Sequence, residues 1–153
     1  DHAINIMESA REMHEKKLGF TRKAQEELAV FTGAVRDIVE TVLEVFCRED
    51  LALARKVEPL EEVIDYLNSE MKKRHIKRLR KGKCTIEMGF VLSDITTNYE
   101  RVADHCSNIA LCLLQLNEES FGTHEYQIHL TSKENADFET EVARIQEIYQ
   151  LPR

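Results

Sequence analysis

Glu100 and Asp104 stand four residues apart, and so do Glu61 and Asp65. On a helix that spacing puts both carboxylates of a pair on one face, within reach of a single cation. Ser93, Thr97 and Asn108 extend the first pair into a polar stripe, and Glu58 extends the second. Oxygen-rich clusters of this kind suit hard or borderline cations such as Mg, Mn, Fe or Zn. The bland alternative is a solvated helix face, the usual setting of an E-x-x-x-D spacing. Other chemistries lack their residues. A ferritin-like di-iron site needs Glu-x-x-His on two helices, yet Arg11, Lys72, Val102, Phe121 and Tyr126 stand three before the histidines. There is no Gly-rich phosphate loop, no G-x-S-x-G and no C-x-x-C. The four cysteines therefore read as free thiols in a reducing compartment. His2 and His105 each follow an Asp and read as polar or interface histidines, with ligation as the alternative.

Five Gly and two Pro in 153 residues are too few turn-formers for a many-stranded fold, and apolar residues recur in alternating steps of four and three. The expected class is all-α: an antiparallel up-down bundle of four long helices plus a short C-terminal helix. Helix 1 covers about 1–18 and stops at Gly19, and Thr21 caps the second, with the line Leu28, Phe31, Val35, Ile38, Val42, Val45. Asp50 caps the third, whose line runs Leu53, Val57, Leu60, Ile64, Leu67, Met71, with Pro59 kinking or restarting it. Thr85 caps the fourth, with a seam from Met88 through Leu92, Ile95, Tyr99, Val102, Cys106, Ile109 and Leu113 to Leu116. Residues 117–130 read as irregular; Thr131 and Glu134 then form a capping box for a last helix striped by Phe138, Val142, Ile145 and Tyr149. Counted from one end of such a bundle, Asp37, Glu61, Asp65, Glu100 and Asp104 fall in one slab about 9 Å thick at 1.5 Å per residue. These five are the candidate metal ligands.

The charge of −7 is the sum of a +8 pole and a −15 remainder: Lys72, Lys73, Arg74, Lys77, Arg78, Arg80, Lys81 and Lys83 lie within twelve residues that hold no acid. An acidic body with one basic end argues against nucleic-acid binding, which wants a broad basic face. It suits contact with an anionic membrane surface or a partner at one pole. A helix end made soluble by charge is the plain alternative. No apolar run approaches the ~18–20 residues that span a bilayer.

Asp1-His2-Ala3-Ile4-Asn5-Ile6 matches Asp104-His105-Cys106-Ser107-Asn108-Ile109 at four of six positions, which reads as the end of a duplicated helix and adds Asp1 to Glu58 as a further candidate ligand. Asn98-Tyr99-Glu100-Arg101-Val102-Ala103-Asp104-His105, with Asn108-Ile109, resembles the signature that ends each three-helix repeat of PhoU proteins. Val57 to Asp65 resembles that family's second motif, with Asp37 where the preceding helix contributes a carboxylate. The likeness covers about 1–117, divided into the end of a first repeat (1–18) and a second repeat (21–117), with 118–153 as a C-terminal extension.

The resemblance implies a cytoplasmic regulatory module rather than an enzyme, with a multinuclear metal cluster on the acidic stripe. His75-Ile76-Lys77-Arg78-Leu79, Gly82-Lys83-Cys84 and the tail from Phe121 to Tyr126 are similar to the domain at the cytoplasmic end of bacterial Na+/phosphate cotransporters. On that reading the partners are the transmembrane domain of its own chain and the membrane surface. A free-standing PhoU-type regulator of phosphate ABC transport and signalling is the second reading. A metal-free structural bundle that forms a homodimer through its C-terminal helix is the third.

Overall fold

Thr21, Asp50 and Thr85 each begin a helix in the computed structural model. Their side-chain oxygens accept from the backbone N–H of Ala24 (3.3 Å), Leu53 (3.0 Å) and Met88 (3.2 Å), satisfying donors that the first helical turn leaves without partners. The structure describes residues 1–120 and 127–152, and the side chains of 1–117 and 136–152. The elements are α1 (His2–Glu15), α2 (Arg22–Arg48), α3 (Leu51–Ala54), α4 (Val57–Arg80), α5 (Ile86–Ser120) and α6 (Gln127–Ile148). Among the described residues there are no strands, and no helix is long and apolar enough to cross a membrane.

The all-α class is as the periodicity requires, and three long helices carry the core. α2, α4 and α5 pack on one another, α1 packs on α5, and α6 packs on α4. Glu27 near the start of α2 meets Arg78 near the end of α4, so these two run antiparallel. Asn68 meets Glu100 and Glu58 meets Ser107, so α4 and α5 are antiparallel as well. Phe31, Val35, Ile38, Val42 and Val45 of α2 interlock with Val57, Leu60, Ile64, Leu67 and Met71 of α4, all buried. The Phe31 and Tyr99 rings meet edge to face at 6.1 Å, within the favoured range.

Several expectations are sharpened. The helix expected from Asp50 is two, α3 and α4. Pro59 sits in the first turn of α4, where a missing N–H costs no hydrogen bond. The first and last helices pack outside the three-helix core, α1 on α5 and α6 on α4, and α6 is 22 residues long rather than short. The seam of α5 holds as far as Cys106, but Ile109 and Leu116 are exposed while Ala103 and Ala110 are buried. Steps of four and three average 3.5 residues against the helix's 3.6, so the stripe drifts by about 20° per heptad. α6 begins at Gln127, so Thr131 and Glu134 lie inside it and do not form its cap, and 117–120, expected to be irregular, belong to α5. The tail from Phe121 to Tyr126 lies outside the described residues.

Candidate functional site

α4 and α5 lie antiparallel with their polar stripes facing, and the pairing forms a ladder. At one end Ser107 Oγ donates to Glu58 Oε2, and at the other Asn68 Nδ2 donates to Glu100 Oε2. Between these rungs Glu61, Asp65 and Asp104 each bring a carboxylate oxygen within 4.8 Å of the others. The spacing of four on each helix explains the meeting: one turn separates Glu61 from Asp65 on α4 and Glu100 from Asp104 on α5.

Three carboxylates at this distance repel one another, and two of them, Glu61 and Asp65, hold their protons above the ordinary carboxylate range. Burial, chiefly, pushes Glu61 up from 4.5 to about 7, followed by the charges of Asp65, Glu58 and Asp104 and a hydrogen bond with Asp104. Asp65 is also raised, first by burial and then by Glu100, Asp104 and Glu62, while Lys72 pulls weakly the other way. A cation would reverse the balance by supplying the charge these oxygens lack. An all-oxygen donor set on two rigid helices fits a hard or borderline divalent ion.

The other candidates take different places. Asp37 is not brought into the group: its Oδ2 accepts from the Tyr149 hydroxyl at the end of α6, and burial and then that contact push the Tyr149 hydroxyl above its ordinary range. Glu100 and Glu58 border the group but are engaged with Asn68 and Ser107. Asp1 is exposed at the start of α1 and makes no side-chain cap. Its neighbour His2 lies across from its counterpart in the repeated motif. His2 Nε2 is 3.4 Å from His105 Nε2, and His2 Nδ1 is 2.9 Å from Asn98 Oδ1, which also accepts from Asn5 Nδ2.

The basic pole divides. Arg78 Nη1 donates to both oxygens of Glu27 (2.9 and 2.8 Å), and Arg74 Nη1 donates to Glu27 Oε1 (3.3 Å) and to the Pro152 carbonyl. Glu27 is only 2% exposed, so these two arginines bind the bundle together instead of facing outward. Lys73, Lys77, Arg80, Lys81 and Lys83 remain exposed, while Lys72 is half-buried. The role of Glu27 escapes a reading by apolar lines, although its signal is in the sequence: it falls one turn before Phe31, on a face that otherwise holds Ala24, Ala34, Val35 and Ile38. Asn68 and Ser107 are likewise buried polar members of the ladder, distinguishable by their one-turn spacing from Asp65 and Asp104.

The PhoU domain description matches residues 31–113, a stretch that contains the whole ladder and both halves of the basic pole. The phosphate-specific transport system accessory protein PhoU homolog 1 of Thermotoga maritima is 28% identical over 109 residues, which cover 71% of this chain and 46% of that protein. The chain thus spans about half the length of the relative it matches. No solved structure matches it.

Proposed function

We propose, from the premise that this chain belongs to the PhoU family, that it is a regulatory module of phosphate transport, acting by docking and not by catalysis. The observation that carries this reading is the family match across the stretch where Glu61, Asp65 and Asp104 converge. A bundle of this kind regulates by binding one state of a transporter more tightly than another, since only differential affinity shifts an equilibrium. Glu61, Asp65 and Asp104 would hold a divalent cation, with Glu58 and Glu100 as adjoining ligands. A bound ion would supply structural chemistry, neutralising the stripe and tying α4 to α5, so that occupancy would set the shape presented to the partner.

The free-standing regulator is the setting closer to the Thermotoga relative, whose name makes it a transport accessory protein. Attachment to a Na+/phosphate cotransporter, on the cytoplasmic side of the membrane, is favoured by the exposed lysines of the basic pole. An inner membrane surface attracts each basic residue near it by up to ~1 kcal/mol. In cells lacking the gene, phosphate uptake should escape its normal restraint, the wild-type chain should restore control, and a triple variant Glu61→Gln, Asp65→Asn, Asp104→Asn should not. Restored control by the triple variant would remove the acidic ladder from the function. Equal uptake in cells with and without the gene would sink the transport reading altogether.

A further inference from the structure

His2 and Asn5 stand three residues apart near the start of α1, and Asn98 and His105 stand seven apart on α5. Both spacings keep a pair on one helical face, and the two faces meet where α1 packs on α5. There the His2 and His105 rings approach nitrogen to nitrogen. Nε2 to Nε2 is 3.4 Å, with the ring centroids 5.4 Å apart and the planes tilted by 39°. The Asn98 amide fixes where the proton of His2 sits. Its Nδ2 donates to the Asp94 carbonyl (2.8 Å), so its oxygen is the atom turned to α1, accepting from Asn5 Nδ2 and from His2 Nδ1, both at 2.9 Å. With that proton on Nδ1, a neutral His2 ring keeps a lone pair on Nε2, the atom that faces His105.

Two imidazole nitrogens at 3.4 Å can be joined in two ways. A hydrogen bond from His105 Nε2–H would be long, since well-made N–H bonds span ~2.7–3.2 Å. A shared metal ion matches the distance: nitrogens about 2.0–2.1 Å from a tetrahedral zinc lie about 3.3–3.4 Å from each other. The bond from His2 Nδ1 to Asn98 is of the kind that orients a metal-binding imidazole and fixes its tautomer. Imidazole suits zinc, nickel and copper, and not magnesium or calcium. His105 is exposed and His2 half-buried, so an ion reaches the pair without disturbing the core. Asp104 turns toward Glu61 and Asp65 on α4 while His105 meets α1, so the pair differs from the acidic ladder in both position and donor chemistry. Among the described residues no third His, Cys, Asp or Glu closes on the two rings, which leaves the other positions of an ion to water.

We propose that His2 and His105 form a two-histidine site for a divalent ion of the zinc, nickel and copper class, which clamps α1 to α5, with Asn98 as its positioning residue. The proposal is independent of the acidic ladder and of the transport reading. Its test uses the untagged full chain carrying Glu61→Gln, Asp65→Asn and Asp104→Asn, so that the ladder does not compete for ions. Calorimetric titration should show one site for Zn2+, Ni2+ and Cu2+, tightest for Cu2+, and none for Mg2+. Asn98→Ala should weaken it about tenfold, the usual cost of losing such an outer partner, and His2→Ala or His105→Ala at least as much. Saturating Zn2+ should raise the melting temperature of the ladder-free chain and leave that of its His105→Ala variant unmoved. Binding of none of the three ions would overturn the proposal, and so would binding that survives the loss of both histidines. Binding that needs His2 but not His105 would overturn it too, because the ion would then be held by α1 alone.

Discussion

Individual charges in this chain do opposite work depending on what faces them. Glu61 is half-buried and faces other carboxylates, and burial first, then those charges, hold its proton to about 7 instead of 4.5. A carboxyl raised on folding favours the native state most below its unfolded value, and that contribution is lost as pH climbs through about 7. Wild type should therefore melt lower as pH rises from 4.5 to about 7, and Glu61→Gln should flatten that slope. Because Glu61 is only half-buried, solvent screening keeps the gain above neutral pH on the order of 1 kcal/mol, or ~2–4 °C in a domain of this size. Circular-dichroism melts across that range check it, and parallel slopes for variant and wild type would discount the raised proton affinity of Glu61. Glu27 is the reverse case, a buried acid with two arginines on it. Glu27→Gln leaves both guanidiniums without a counter-charge and should cost on the order of 3 kcal/mol, read as a fall in the urea midpoint with m unchanged.

At the scale of the element, caps and apolar lines were legible in the residues because they obey local rules. Thr21, Asp50 and Thr85 cap where their side chains can reach a free N–H, and the lines of α2 and α4 point inward without a slip. What was not legible depends on neighbours. Arg74 and Arg78 belong to a run of like charge in sequence, and only the facing α2 shows that two of its members turn inward. Asp37 sits at the right level of the bundle, but level along the axis leaves rotation about it open, and its carboxylate meets α6 instead of α5. Gly89 is a similar case. Glycine within a helix normally costs about 1 kcal/mol against alanine, yet a Cβ here would lie 2.7 Å from His75 Nε2. Gly89→Ala should therefore destabilise, by about 1–3 kcal/mol, and become neutral or stabilising in a His75→Ala background. Urea titrations of the double-mutant cycle give the coupling.

Across the whole molecule the packing is graded. α2, α4 and α5 enclose one another, whereas α6 packs on α4 and is pinned near its end by Ile145, by Tyr149 on Asp37 and by the Pro152 carbonyl on Arg74. Units with fewer buried contacts open first, so the amides of α6 should exchange with deuterium before those of α4. Tyr149→Phe should speed that exchange and leave the α4 core protected. Equal protection of α4 and α6 in wild type would show the two opening as one unit.

The contact between His2 and His105 has a consequence for the history of the sequence. These residues occupy matching places in an echoed motif, and they meet each other rather than unrelated neighbours. A position that touches its own counterpart evolves under a shared constraint, since a change in one copy is tested at once against the other. In an ancestor built from a single copy and paired with itself, any substitution there would have appeared twice across the same contact. Duplication would release the two positions to diverge, and here both are histidine while their neighbours Ala3 and Cys106 differ.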